Sequence, residues 1–166
     1  SYTCELKIDG LHIVLEYVDG VLVTASTRGD GTIGENVTHN IRTIDSVPLI
    51  LQEKVNVIVE GEVWLSKEQL IKINKEREKE GLEVYANPRN LAAGTVRQLD
   101  PRVAQERKLD TFIYDISQGE QVSSQKAELT RLQKLGFKVN PHHEVCSDIE
   151  KVISFCFVFK IIFIEE

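Results

Sequence analysis

The sequence predicts an α+β protein, because it combines apolar patterns of strand and of helix period. Apolar side chains alternate over residues 11–17, and Asp19-Gly20 follows them as a two-residue turn signal, so we expect a β-hairpin. A stricter alternation over residues 55–65 predicts another strand. Leucines at helical spacing within residues 124–135 predict an amphipathic helix.

Length and composition are typical of a globular protein with one sizeable domain. The chain has 166 residues, of which 42% are hydrophobic and 28% are charged, so a packed core is expected. The formal net charge is -6, which excludes a chain that binds nucleic acid through its overall charge. Any contact with DNA must therefore come from a local basic patch.

The cysteine content favours a reducing, cytoplasmic environment. Cys4, Cys146 and Cys156 are odd in number and far apart in the sequence, which is not typical of a disulfide framework. A zinc site formed by His142, His143, Cys146 and Cys156 stays open as an alternative, although the spacing matches no familiar zinc finger. We find no signal peptide and no methionine, so we expect the chain to begin inside a longer protein.

Other elements are expected along the chain. Residues 37–44 predict a short helix. Ser66 and Gln69 form a capping box for a longer helix, which Gly81 ends. This helix is expected to serve as scaffold.

Residues 109–116 predict a strand with Phe112, Tyr114 and Ile116 on one face. Tyr114 could stack on a planar base or belong to the core, and the pattern leaves both alternatives open.

A lysine between two carboxylates is the first candidate for chemistry. In Glu5-Leu6-Lys7-Ile8-Asp9-Gly10, Lys7 lies on the approach to the predicted hairpin, and Gly10 allows the backbone to turn nearby. A lysine positioned by neighbouring carboxylates can act as a nucleophile. The alternative is a solvated charge cluster at the end of a strand.

The second strand of the hairpin leads into a glycine-rich loop over residues 27–35. Its glycines let the backbone approach a ligand closely, while Arg28, Asp30 and Glu35 supply charge. Arg28-Gly29-Asp30 also has the form of an adhesion tripeptide, but that function requires an exported protein.

Two carboxylates share one face of the predicted strand over residues 55–65. Strict alternation places Glu60 and Glu62 together with Ile58 and Trp64. At a separation of two residues they lie roughly 7 Å apart, close enough to serve one ligand. The mixture of apolar and acidic residues is typical of a pocket wall rather than of an open surface.

Asn87 and Pro88 predict the start of a helix that ends around Asp100-Pro101. On such a helix Arg89 and Arg97 are eight residues apart and lie on one side, suited to contacting successive phosphates. The alternative is two ordinary surface arginines.

The C-terminal residues depart from the preceding pattern. Ser147 and Glu150 predict a capping box for a last helix. Four of the six phenylalanines then fall within residues 155–166, in an apolar run that is too short to span a bilayer. A foreign terminus and a hydrophobic partner surface are both left open for this tail.

Four motifs in series resemble those of the adenylation domain of bacterial NAD-dependent DNA ligases. They are Glu5-Leu6-Lys7-Ile8-Asp9-Gly10, Thr27-Arg28-Gly29-Asp30-Gly31, Glu60-Gly61-Glu62, and Asn87-Pro88-Arg89-Asn90 with Arg97-Gln98-Leu99-Asp100-Pro101. Their order and spacing agree over roughly residues 4–145. A lone K-x-D-G is a weak signal, whereas four such motifs in order are specific. Leu91 and Thr95-Val96 depart slightly from the usual pattern.

The resemblance implies antiparallel sheets with flanking helices, as an ATP-grasp-like nucleotidyltransferase domain that is incomplete at its C-terminal end. Residues 1–146 would form this partial adenylation domain, and residues 147–166 a helix start and an anomalous apolar tail. Lys7 would accept AMP from NAD, with Mg²⁺ opposing the charge of the ammonium group. The AMP would pass to the 5′-phosphate of nicked double-stranded DNA in replication and repair, in the bacterial cytoplasm.

The resemblance also implies roles for individual residues. Lys7 and Asp9 would be catalytic, Asp9 by organising the surroundings of the nucleophile. The adenine amine of the cofactor would contact Glu5, and the base would stack on Tyr114. Arg28 would hold the ribose and phosphate region, and Glu62 would engage the ribose or metal. Leu6 would also contact the cofactor. Arg89 and Arg97 would hold the nicked DNA strand.

Later lysine-bearing motifs of the family should follow the helix that starts near Ser147, where the phenylalanine-rich tail stands instead. We therefore expect this chain not to seal nicks by itself, and to act within a full-length protein without membrane contact. The alternative is a catalytically incomplete ligase-like fragment that only binds nucleotide or a partner.

Overall fold

A four-stranded antiparallel sheet forms the centre of the protein. The computed structural model describes residues 1–30 and 33–164, with side chains as far as residue 159. The strands are β1 Tyr2–Glu5, β2 Leu11–Val18, β3 Val21–Thr27, β4 Val57–Trp64, β5 Asp110–Gln118 and β6 His143–Cys146. The helices are α1 Thr38–Ile41, α2 Lys67–Lys79, α3 Pro88–Val96, α4 Pro101–Arg107, α5 Gln125–Leu135 and α6 Ile149–Ile164. The larger sheet has the order β3-β2-β4-β5, and β1 pairs with β6 in a separate two-stranded sheet.

The α+β class with antiparallel sheets and helices is confirmed, and so is the hairpin. Asp19 and Gly20 connect β2 to β3 with φ of 49° and 76°. Positive φ at both central residues defines the tight turn whose twist matches that of the two strands.

One face of the larger sheet forms the hydrophobic core. Ile13 and Leu15 of β2 and Val59 and Val63 of β4 are fully buried. These residues fall on the apolar faces that the alternation predicts. Helix α5 contributes its predicted stripe to the same core, at Leu129, Leu132 and Leu135.

The predicted helix ends near residues 66 and 136 are confirmed. The Ser66 side chain accepts a hydrogen bond from the Gln69 amide at the start of α2. Gly136 ends α5 with a φ of 102°, a left-handed conformation that favours glycine.

The prediction of one helix from Asn87 to about Asp100-Pro101 is wrong. Asn87 caps α3 as expected, but α3 ends at Val96 and Arg97 lies at its C-cap. Asp100 and Pro101 begin the separate helix α4, with Asp100 accepting a hydrogen bond from the Arg102 amide. An acidic cap followed by proline is a helix-start signal, since proline suits the first helical position.

The predicted face of β5 is also corrected. Gly61 pairs with Ile113, and the adjacent Glu60 pairs with Asp115, so Tyr114 is the extra residue of a β-bulge. A bulge shifts the alternation by one residue. Ile116 therefore turns into the hydrophobic core, while Phe112 and Tyr114 line a cavity on the other face.

The N-terminal strand β1 pairs with β6 in the small sheet, a pairing that the sequence patterns do not predict. Glu5 of β1 pairs with His143 of β6. The next helix, α6, is capped by Asp148 rather than Ser147, because the Asp148 side chain accepts the Lys151 amide.

The apolar tail continues α6 through residues 155–159. Phe155 is buried and its ring centroid lies 4.6 Å from that of Phe159, whereas Phe157 is exposed. Phe163 lies outside the residues whose side chains are described. No helix within the described part of the chain is long and apolar enough to cross a membrane.

Candidate active site

The segment from Leu6 to Gly10, here called the lysine loop, joins β1 to β2 and lies against β4. A Cβ added at Gly10 would stand 2.2 Å from the Val63 carbonyl oxygen and 2.8 Å from the Glu62 side chain. No other residue type fits this approach without displacement. Glycine at this position therefore sets how close the lysine loop comes to the acidic face of the sheet.

Lys7 is exposed, and the carboxylates beside it do not hold it. Asp9 forms an ion pair with Arg89, with 2.7 Å between Oδ1 and Nη1. Among the described residues no carboxylate forms an ion pair with the Lys7 amine. The sequence-based idea of a lysine held between Glu5 and Asp9 is wrong, since Asp9 is engaged by a residue that is distant in the sequence.

Lys7 borders a first cavity of about 330 Å³. Its walls are the start of the lysine loop, the polar face of the sheet and the segments that flank it. The lining residues are Glu5, Leu6, Lys7, Ile8, Glu62, Phe112, Tyr114, Gln125 and Asn140. An aromatic and apolar wall with a few polar groups is typical of a small-molecule site.

A second cavity of about 360 Å³ adjoins the first and is more cationic. The two cavities share Lys7, Glu62 and Tyr114. The second also contains Arg28, Arg89 and Arg97. Lys7 therefore lies at the junction of an aromatic cavity and a cavity rich in arginine.

The structure brings the predicted site residues together. Eight of them line one or both cavities: Glu5, Leu6, Lys7, Arg28, Glu62, Arg89, Arg97 and Tyr114. Asp9 contacts this group through Arg89. The position of Arg28 beside Lys7 favours ligand binding over the adhesion tripeptide.

The polar face of the sheet is acidic and partly dehydrated. Glu62 is only 7% exposed, and the Tyr114 hydroxyl lies 3.5 Å from its Oε2. Glu60 is paired instead with His12, with 2.9 Å between Oε2 and Nε2. Burial, followed by the charge of Glu60, raises the pKa of Asp115 above its usual range.

Burial is the first cause that raises the pKa of Tyr114 from 10.0 to about 12, and the charges of Glu62 and Glu60 follow. The Tyr114 hydroxyl is therefore expected to lose its proton at a higher pH than a free tyrosine. Spectrophotometric titration of the intact protein and of Tyr114→Phe measures this difference. The folded state holds this proton more tightly than the unfolded chain. The resulting stabilisation is present below pH 10.0 and is lost as the pH rises through about 12.

The same titration separates the causes of the shift. Glu62→Gln is expected to lower the Tyr114 midpoint only in part, because burial is the larger cause. Glu76→Gln on α2 is the control and should leave the midpoint unchanged. A midpoint near that of free tyrosine in the intact protein would contradict the prediction.

The two predicted DNA-contacting arginines line the same cavity, although only Arg89 lies within α3. Arg89 follows Asn87 at the start of α3, whereas Arg97 lies at the C-cap and pairs with Glu35 at 2.6 Å. The ion pairs Arg89–Asp9 and Arg97–Glu35 are largely exposed, so they contribute little to the stability of the fold. Phosphate oxygens can therefore replace the carboxylates at low cost.

Glu62 is the carboxylate that lines both cavities. No group of three or more His, Cys, Asp or Glu that could hold a metal lies within residues 1–30 and 33–159. The open zinc alternative thus has no support in the described residues. Mg²⁺ commonly uses one or two carboxylates together with substrate phosphates, and Glu62 in the second cavity fits such a role.

Several residues that line these cavities are absent from the predicted site, among them His12, Gln125 and Asn140. His12 lies beside Lys7 in the second cavity, and the strand alternation of β2 could have found it on the polar face. Gln125 and Asn140 line the first cavity from α5 and from the segment before β6. No local pattern marks them, because only the tertiary fold brings them to the lysine loop.

These features define an α+β domain with a lysine at the junction of two cavities on the polar face of an antiparallel sheet. Residues 1–160 match the family described as the NAD-dependent DNA ligase adenylation domain. The chain belongs to this family.

Bacterial relatives agree with this assignment. A DNA ligase of Bacillus cytotoxicus is 47% identical over 156 residues, a DNA ligase of Brevibacillus brevis is 49% identical over 156 residues, and a DNA ligase of Caldicellulosiruptor saccharolyticus is 47% identical over 152 residues. The matches cover 93%, 93% and 91% of this chain. The chain spans 23% of the length of these relatives. The family match includes residues 147–160, and the division after residue 146 stays a prediction.

Proposed function

We propose that this chain is the AMP-accepting part of an NAD-dependent DNA ligase, with Lys7 as the acceptor. The observation that carries the proposal is the position of Lys7 between an aromatic cavity and an arginine-rich one. A dinucleotide such as NAD likewise joins planar bases through a charged diphosphate. The site offers matching chemistry to both.

The adenine would occupy the first cavity. Tyr114 supplies an aromatic face and Glu5 supplies a carboxylate that can accept a hydrogen bond from the adenine amine. Leu6 adds apolar contact. Glu62 lies in both cavities and would hold the ribose or a bound cation.

The reaction would be a phosphoryl transfer to nitrogen. The deprotonated Lys7 amine attacks the α-phosphorus of NAD, and the bond from that phosphorus to the oxygen of nicotinamide mononucleotide breaks. AMP remains on Lys7 as a phosphoramidate, and the proton leaves the amine. Arg28 would stabilise the charge on the phosphate. Mg²⁺ held at Glu62 would supply further positive charge beside the phosphate.

The second half of the function would involve nicked double-stranded DNA. Arg89 and Arg97 lie in the same cavity as Lys7, so a DNA 5′-phosphate held by them would stand near the adenylate. Transfer of AMP to that phosphate activates the nick for sealing, as replication and repair require. This step would take place in the full-length protein in the bacterial cytoplasm.

Adenylate labelling tests the proposal. The chain is incubated with Mg²⁺ and NAD that is labelled in its adenylate half, and the protein is then examined for an acid-labile adduct on Lys7 by mass spectrometry. We expect label from NAD and none from ATP. Label from ATP alone would overturn the cofactor assignment.

The competing function is a ligase-like fragment that binds nucleotide without reacting. Calorimetry with NAD distinguishes this case, because binding would then be measurable while no adduct forms. If the remainder of a relative's ligase, supplied in trans, also yields no adduct, the catalytic function is rejected for this chain.

A further inference from the structure

We propose that Asn140 is a positioning residue for the nucleophile, and this inference rests on the proposed function of Lys7. Asn140 lies before β6 and lines the first cavity, yet it is 134 residues away from Leu6 in the sequence. Its side chain holds the lysine loop at the peptide that joins Leu6 to Lys7.

Hydrogen bonds connect the Asn140 side chain to Leu6 and to His142. Its Nδ2 donates to the Leu6 carbonyl oxygen at 3.2 Å, and its Oδ1 accepts from the His142 amide at 3.0 Å. The Leu6 amide donates in turn to the His142 carbonyl oxygen at 3.3 Å. Both backbone polar groups of Leu6 are therefore bound by the segment from Asn140 to His142.

The orientation of this amide is determined by its partners. The Leu6 carbonyl can only accept a hydrogen bond and the His142 amide can only donate one. The asparagine side chain serves both, because it carries a donor NH₂ group and an acceptor oxygen. Asn140 is only 6% exposed. Leaving a buried polar group without a hydrogen-bond partner costs free energy, so the hydrogen bonds of Asn140 resist breaking.

The other contacts that hold the lysine loop lie on the C-terminal side of Lys7. Gly10 lies against β4, and Asp9 pairs with Arg89. The Asp9 and Arg89 side chains are 68% and 56% exposed, so this pair holds the loop weakly. Asn140 thus provides a buried side-chain anchor on the N-terminal side of the nucleophile.

Holding this peptide in place affects the reaction, because the lysine amine is at the end of a flexible four-carbon side chain. No carboxylate among the described residues pairs with the Lys7 amine, so the Leu6–Lys7 peptide is what sets the position of the Lys7 Cα. In a phosphoryl transfer a displacement of about 1 Å can reduce the rate by about 10²-fold. Asn140, whose amide is engaged by Leu6 and His142, therefore acts through Lys7.

The test is Asn140→Asp, measured on the whole chain by the rate of adenylate formation over a range of NAD concentrations. Aspartate keeps the acceptor for His142 but replaces the donor with an oxygen that repels the Leu6 carbonyl. We expect the rate constant at saturating NAD to fall about 10- to 100-fold, with a smaller change in half-saturation. Circular dichroism confirms that the compared proteins are folded at the assay temperature.

A matched control separates positioning from stability. Asn74 on α2 makes the same pair of contacts, with Nδ2 donating to the Tyr85 carbonyl at 2.8 Å and Oδ1 accepting from the Tyr85 amide at 2.9 Å. Asn74→Asp should lower the thermal midpoint but change the saturated rate by less than about 2-fold. Equal saturated rates in the intact protein and Asn140→Asp, or an equal loss in Asn74→Asp, would overturn the inference. An intact chain that forms no adduct, even with the remainder of a relative's ligase supplied in trans, would overturn the proposed function as well, which is a different result.

Discussion

Replacing Lys7 with alanine is expected to abolish the adenylate adduct on this chain. Lys7 borders both cavities, and the alanine variant has no amine to form the phosphoramidate. We expect the rate of label transfer from NAD to fall by at least about 10³-fold, to the limit of detection. The measurement is adduct mass after incubation with NAD and Mg²⁺.

Lys7→Arg distinguishes the nucleophile from its charge. Arginine keeps a cation beside the phosphate but does not lose its proton at neutral pH, so this variant should be as inactive as the alanine variant. Lys75→Ala, on the exposed side of α2, is the control and should react normally. An adduct that persists at another lysine in Lys7→Ala would assign the acceptor elsewhere.

Gly10→Ala is expected to damage both the stability and the reaction of the protein. The new Cβ would lie 2.2 Å from the Val63 carbonyl oxygen, which belongs to the backbone of a central strand. Either β4 or the lysine loop must move. We expect a loss of about 1–3 kcal/mol in the free energy of unfolding and a fall of at least about 10²-fold in the adenylation rate.

The control for this substitution is another glycine of the same chain. An added Cβ at Gly94 in α3 would meet no heavy atom within 4 Å. Gly94→Ala should therefore raise the free energy of unfolding by about 0.5–1 kcal/mol, because alanine is the better helix former. Denaturant unfolding of both variants compares the two effects directly. Equal stability of Gly10→Ala and the intact protein would contradict the close approach described here.

The elements that could be predicted from the sequence are those whose signals are local. The turn at Asp19-Gly20, the cap at Ser66 and the stop at Gly136 need only a few neighbouring residues. The site residues could be named because four short motifs resemble a known family in series. Their assembly into two cavities was not visible in any one motif.

The elements that could not be predicted depend on pairing across the fold. The bulge at Tyr114 arises from the register of β5 against β4, and it sends Ile116 to the core instead of the cavity face. The partner of Asp9 is another such case. Its ion pair with Arg89, 80 residues away, depends on where α3 docks.

Lys7 illustrates the division between sequence and tertiary structure. Motif spacing and strand alternation are local properties of the chain, and they identify Lys7 as the candidate nucleophile. The groups that surround and hold Lys7 depend on the fold, since Asn140 and Glu62 come from distant segments and Asp9 pairs with Arg89. Hydrogen bonds and close packing select partners in space, whereas sequence patterns report only on neighbours along the chain.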